Sequence, residues 1–180
     1  VCHAISGYSG GGKKMISAYA SHDRLAEYSS VRQYGLSQNH KHQNEMKLIS
    51  GLSHTPIFNP AVADFYCGMT VSVPIYPRLL SKKVGVRELH SLLTEYYAGQ
   101  HFVEVCPLMG EGILVDGFLP SNSLAGTNKL QLFVCGNDER VLLAACLDNL
   151  GKGASGAAIQ NMNLALGLNE ATGLESTTMN

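Results

Sequence analysis

Leu147-Asp148-Asn149-Leu150-Gly151-Lys152-Gly153-Ala154-Ser155-Gly156-Ala157-Ala158-Ile159-Gln160-Asn161 is the stretch on which the fold of this chain turns. The apolar residues leading into Leu147 predict a buried strand, which the polar pair Asp148-Asn149 ends. Gly151 and Gly153 then predict a turn, and the Ala-rich sequence beyond predicts a helix over 151–166. Small side chains there let a helix pack closely on a sheet. A helix start behind a glycine turn also offers backbone N–H groups to an anion or polar ligand.

Upstream, apolar runs at 129–135 and 140–147 flank Gly136-Asn137-Asp138, a hairpin signal. Val86, Leu89, Leu93 and Tyr97 recur at helical spacing and predict a helix over 86–97. Further strands are predicted at 1–5, 102–105 and 112–118. A long one at 65–75 would carry Met69, Val71 and Val73 on one face and end at Pro74 and Pro77. Shorter helices are predicted over 13–21 and over 45–52, the latter from Met46, Ile49 and Leu52. Residues 22–39 read as irregular, anchored by Tyr28, Tyr34 and Leu36. Phe58-Asn59-Pro60 and 121–127 read as loops, and the polar tail after Leu166 is expected to fray. Hairpin-linked strands outnumber crossover helices. The expected fold is α+β, a mixed, largely antiparallel sheet with helices on one face.

Composition narrows the function. A chain of 180 residues is one domain by size, and 45% hydrophobic against 15% charged residues describes a globular protein. The net charge of −1 and the lack of a basic stripe give no reason to expect nucleic acid or a membrane surface. No apolar run approaches the ~20 residues a spanning helix needs, and no signal peptide opens the sequence. Cys2, Cys67, Cys106, Cys135 and Cys146 are odd in number and form no CxxC pair. They are expected to be buried, reduced thiols of a cytoplasmic protein, or of an organelle matrix in a eukaryote. Starting as a strand without Met, the sequence reads as a domain cut from a longer polypeptide.

Two segments can carry chemistry. The loop Gly7-Tyr8-Ser9-Gly10-Gly11-Gly12-Lys13-Lys14 satisfies G-x-x-x-x-G-K, but Lys14 stands where a phosphate-binding loop needs Ser or Thr. Its glycine spacing is also wrong for a dinucleotide fingerprint. What remains is a flexible loop with exposed N–H groups and Lys13 at a helix start, suited to an anion. The second segment is His40-Lys41-His42-Gln43-Asn44-Glu45. Histidine takes and returns protons near neutral pH, and a carboxylate can orient it. Two histidines two residues apart point together only in extended chain, whereas His42 and Glu45 are neighbours across one helical turn. A metal reading is weaker, because only Gln43 and Asn44 separate His42 from Glu45, so no metal is expected.

Four blocks, in order along the chain, carry a resemblance. They are Ala4-Ile5-Ser6-Gly7-Tyr8-Ser9-Gly10-Gly11-Gly12-Lys13-Lys14-Met15-Ile16, His40 through Met46, Pro56-Ile57-Phe58-Asn59-Pro60-Ala61-Val62 continuing through Gly68-Met69-Thr70-Val71-Ser72-Val73-Pro74, and Leu147 through Leu166. Together they resemble the N-acetyl-gamma-glutamyl-phosphate reductase family, semialdehyde-forming acyl-phosphate reductases of arginine biosynthesis. The fold this implies is the C-terminal domain of glyceraldehyde-3-phosphate dehydrogenase-like semialdehyde dehydrogenases. The implied reaction reduces N-acetyl-glutamyl 5-phosphate to N-acetyl-glutamate 5-semialdehyde and phosphate. A cysteine thioester forms first, and NADPH then supplies hydride.

The resemblance assigns acid/base work to His40, with His42 and Glu45 in support. It places Ser6, Gly7 and Asn149 at the cofactor's reactive end, and Ser9, Gly10 and Lys13 at the acyl phosphate. Asn44 departs from the family's Pro. The family's Pro-Gly-Cys-Tyr-Pro block is absent, so none of the five cysteines inherits the nucleophile's role. The expectation is one substrate-binding and dimerisation domain over 1–180, from which the NADP-binding domain with its cysteine is missing. Alone it is expected to be inactive and to assemble as a homo-oligomer through its sheet. A relative acting on aspartyl or aminoadipyl substrates, or a non-catalytic assembly module, remains the alternative.

Overall fold

The computed structural model describes residues 1–174; the end of the polar tail, 175–180, lies outside the described residues. Among the described residues seven strands form one sheet: β1 (Cys2–Gly7), β2 (Arg32–Gln33), β3 (Phe58–Ala63), β4 (Met69–Ile75), β5 (Val103–Val105), β6 (Leu130–Gly136) and β7 (Val141–Leu147). Their order is β2-β3-β1-β4-β7-β6-β5. The β1–β3 and β5–β6 pairs are parallel, and the rest are antiparallel. Helices α1 (Gly12–Ala20), α2 (Lys41–Ser50), α3 (Val86–Tyr96) and α4 (Gly156–Ala165) complete the expected α+β domain. Among the described residues no helix is long and apolar enough to cross a membrane.

Register sorts the core into two layers, since directly paired residues share a face of a sheet. Ala4 pairs with Val71, and Val71 with Ala145, so these three look the same way. On that face Cys2, Ala4 and Phe58 pack with Val71, Val73 and Met46 of helix α2. Phe133, Ala144 and Cys146 look the other way, against Cys106 and Leu124. There the cover is irregular chain, through Ile113, Leu114 and Leu119.

Several local expectations are corrected. Phe58-Asn59-Pro60 is strand, not loop. Pro60 carbonyl accepts from Tyr34 N at 3.1 Å, on the side where the two-residue β2 runs out. A missing N–H costs little beside so short an edge strand. The strand predicted from residue 65 begins only at Met69. Residues 65–68 instead turn with Gly68 at φ +116 and lend their carbonyls to Gly7, Tyr8 and Ser9. Residues 112–118 form no strand, because Gly112, Asp116 and Gly117 adopt positive φ and interrupt any ladder. Helix α2 starts at Lys41, four residues before Glu45. Of its predicted apolar stripe only Met46 reaches the core, and Ile49 is 85% exposed. Leu36, expected as an anchor, is 74% exposed; the ring contacts in its segment come from Tyr28 and Tyr34.

The close approach expected around Leu147–Asn161 is present. A Cβ on Gly151 would stand 2.4 Å from the Thr127 carbonyl, and one on Gly156 2.1 Å from Asn128 Oδ1. The first turn, Gly151–Ser155, is π-helical, and α4 follows it.

Candidate active site

On the α2-bearing face, Ser6 is in register with both Val62 and Met69, and Arg32 pairs with Val62. These positions lie where β1 and β3 end and β4 begins, and they floor an open cavity of about 630 Å³. Gly7, Gly10, Gly11 and Met15 close one wall, Arg32, Gln33 and Tyr34 another, and His40, Lys41 and His42 a third. Asn149, Gly153 and Ala154 arrive from the far end of β7. The Gly7 loop, the His40 segment and the Asn149 segment, far apart in sequence, thus meet at one cavity.

His40 and His42 are brought together by a mixed local geometry. His40 is the N-cap of α2 with extended backbone, φ −86 and ψ 138, while His42 already lies inside the helix. Their ring centroids are 4.7 Å apart. His40 Nδ1 accepts from His42 N at 3.3 Å, and its ring packs edge-on against Tyr34 and Phe58. Nδ1 is therefore occupied as an acceptor, whereas Nε2 has no hydrogen bond among the described residues and carries the neutral ring's proton. Burial, with His42 and Lys41 beside it, lowers the His40 pKa from the ordinary imidazole value; Glu45 partly opposes this. His42 Nε2 lies 4.0 Å from Glu45 Oε2 across one helical turn, in an exposed pair. Glu45 itself does not line the cavity.

Asn149 is wired into the protein more tightly than a ligand contact requires. Its Oδ1 accepts from Gly68 N at 2.8 Å, and its Nδ2 donates to Ser9 Oγ at 3.0 Å. One N–H and one lone pair remain for a carboxamide, the polar group of a nicotinamide ring. Gly10 keeps that approach open, since a Cβ there would stand 3.3 Å from Asn149 Nδ2. The residues present fit the reactive end of such a cofactor. Gly7 has a structural duty besides lining the cavity: a Cβ would come within 2.5 Å of the Tyr66 carbonyl.

Not every expected residue arrives. Lys13 is exposed and outside the cavity lining, because the Gly7–Gly12 loop tightens into a 3-10 turn that places it beyond the rim. Ser9 lies behind the wall as the partner of Asn149. The N–H groups after Asn149 are not free for an anion as expected. Asp148, 3% exposed, takes those of Leu150 at 2.7 Å and Gly151 at 3.2 Å, together with that of Gly126. A buried carboxylate of the chain itself fills that position.

One cation that lines the cavity was missed in the sequence. Arg32 lies over the Tyr28 ring at 4.1 Å and the Tyr19 ring at 5.1 Å. Both its Nε and its NH2 donate to the Tyr19 hydroxyl. That hydroxyl raises the guanidinium's pKa further. Arg32 has no carboxylate partner among the described residues, and the cavity lining contains no Asp or Glu. The one legible signal was an arginine flanked by Tyr28 and Tyr34, eight residues before His40. None of the five cysteines lines the cavity, and no group of three metal-ligating side chains occurs among the described residues.

A mixed α+β sheet with a cationic, histidine-bearing cavity at its strand ends is the fold class of semialdehyde dehydrogenase dimerisation domains. The family described as semialdehyde dehydrogenase, dimerisation domain, matches residues 1–149, and the chain belongs to it. An N-acetyl-gamma-glutamyl-phosphate reductase of Nostoc sp. is 47% identical over 96% of this chain and 56% of its own length. The reductase of Burkholderia ambifaria is 45% identical over 95% of this chain and 54% of its own. The chain thus spans about half the length of the curated relatives it matches. The aspartate semialdehyde dehydrogenase of Francisella tularensis shares the fold, with a TM-score of 0.63 at 12% identity over 92% of this chain and 57% of that one.

Proposed function

We propose that these 180 residues form the substrate-binding and subunit-contact half of an NADP-dependent reductase that converts N-acetyl-glutamyl 5-phosphate to its semialdehyde. The observation that carries this reading is the cavity's charge. Arg32, Lys41, His40 and His42 line it, with no opposing carboxylate among the described residues. An acylated amino-acid phosphate is anionic at both ends and matches that field.

Arg32 is held flat by two tyrosines and anchors the carboxylate or phosphate, for which a guanidinium is preorganised. Gly10 extends this anion-binding edge at the loop rim, and Lys13 lies outside it. His40 presents its Nε2 proton to the developing oxyanion or the leaving group, with His42 and Glu45 as supporting groups. Asn149, Ser6 and Gly7 form the wall that receives the nicotinamide, which supplies hydride when bound. The attacking sulfur belongs to polypeptide outside these residues, since no cysteine of this chain reaches the cavity. By itself the chain is inactive. We place the protein in the cytoplasm or an organelle matrix, where five unpaired cysteines stay reduced.

A chimera tests the reading. These residues replace the matching 56% of the Nostoc relative, and NADPH oxidation is followed with N-acetyl-glutamyl phosphate. The chimera should turn over, and His40→Asn should lower kcat by about 10²–10⁴-fold. A folded, active chimera whose kcat is indifferent to His40→Asn removes His40 from the chemistry. Arg32→Met should raise KM far more than it lowers kcat.

A further inference from the structure

Residues 38–43 contain a side-chain amide relay with no role in the reading above. Gln43 is 5% exposed, unusual for a residue in the first turn of a helix. Its Oε1 accepts from His40 N at 2.8 Å, closing the capping box whose other half is His42 N to His40 Nδ1. Its Nε2 donates to Pro56 O at 3.1 Å and faces Gln38 Oε1 at 3.4 Å. Gln38 in turn donates from Nε2 to Phe58 O at 2.8 Å and accepts from Phe58 N at 3.0 Å. In doing so it mimics a strand neighbour for β3 just past the point where β2 stops. Gln38 adopts φ +55 to reach there, a conformation that side chains other than Asn and Asp seldom take. The chain thus ties His40 to the rigid sheet through two glutamines.

We propose that Gln43, backed by Gln38, is a positioning residue that locks the His40 ring in the Nε2–H tautomer facing the cavity. Without the Gln43 contact the His40 backbone is free to leave the N-cap conformation. Nδ1 then loses the His42 N–H, and either ring nitrogen can carry the proton. The charged and titratable groups around the ring are Lys41, His42 and Glu45 on α2 and Tyr34 and Arg32 on the opposite wall; β3 contributes only Phe58. The inference rests on His40 being the acid/base, but its test needs no turnover. Loss of kcat in His40→Asn judges the function, and the ring spectrum judges the relay.

The experiment is a pH titration of imidazole nitrogen resonances in the 180-residue chain labelled with ¹⁵N-histidine, His40 being assigned by its loss in His40→Asn. The expected result is a neutral His40 in the Nε2–H form in the native sequence. In Gln43→Ala the two tautomers should mix and the titration midpoint should rise. Gln43→Glu keeps the acceptor for His40 N–H, so it should restore the pure Nε2–H form, with a raised midpoint because a carboxylate now stands near the ring. If Gln43→Ala does not fold, Gln43→Glu decides alone, since a mixed tautomer there refutes the relay. An Nδ1–H ring in the native chain, or a folded Gln43→Ala with an unchanged spectrum, also overturns it.

Discussion

Replacing Asn149 by alanine should destabilise the domain whether or not any ligand binds. The substitution deletes the acceptor for Gly68 N and the donor to Ser9 Oγ, both at buried positions. A buried N–H left without a partner costs about 1–3 kcal/mol, and the lost amide-to-hydroxyl bond adds about 1 kcal/mol, so a loss of about 2–4 kcal/mol is expected. For a domain of this length that corresponds to a melting temperature lower by about 10 °C. Urea denaturation followed by circular dichroism reads the effect as a shifted midpoint with an unchanged m-value, because the damage is local. Asn149→Asp is the informative partner. It keeps an oxygen for Gly68 N, and the Ser9 hydroxyl can turn its own proton toward the second oxygen, so it should lose less. An alanine variant within about 0.5 kcal/mol of the native chain would refute the reasoning. Asn149 would then be a ligand contact and not a brace.

Three further outcomes follow from the same geometry. Gly7→Ala pushes a Cβ to within 2.5 Å of Tyr66 O and 2.8 Å of Phe65 O, so the 65–68 turn must move, at a cost of about 1–3 kcal/mol in urea denaturation; an unchanged midpoint would show that the turn yields freely. Burial pushes the Cys106 thiol up to about 12, and Cys106 is fully inaccessible, so a thiol reagent at pH 8 should label it only after unfolding. Rapid labelling of Cys106 in the native protein would contradict this placement. Because His40 is held below the ordinary imidazole value, the unfolded chain takes up that proton first as pH falls. His40 therefore costs nothing above about pH 6.5, and below it destabilises the fold increasingly until the folded-state midpoint is passed. His40→Asn keeps a capping acceptor and removes this titration, so its stability should fall less steeply on acidification; identical slopes would refute it.

Much of the fold was legible because the hydrophobic pattern records it locally. The β6–β7 hairpin, β1, α1 and α3 lie where periodicity and turn residues put them, within a residue or two. Two of the misread segments are ones in which distant chain supplies backbone partners. Pro60 sits in a strand because β1 runs parallel beside it and β2 stops short on its other side. Residues 65–68 look like strand in sequence, but their carbonyls are claimed by the β1 loop.

The site divides in the same way. His40, His42, Gly7 and Asn149, singled out by residue type and by the family resemblance, line one cavity. Arg32 was not, since a single arginine in an irregular stretch carries no periodic or spacing signal. Its meaning comes from Tyr19 and Tyr28 clamping it, and from the lack of a carboxylate across the cavity among the described residues. The sequence by itself determined most of the elements and the kinds of chemistry available. Tertiary structure alone decided which groups share a cavity and which N–H groups Asp148 already occupies, because burial and hydrogen-bond competition are properties of neighbours brought together by folding.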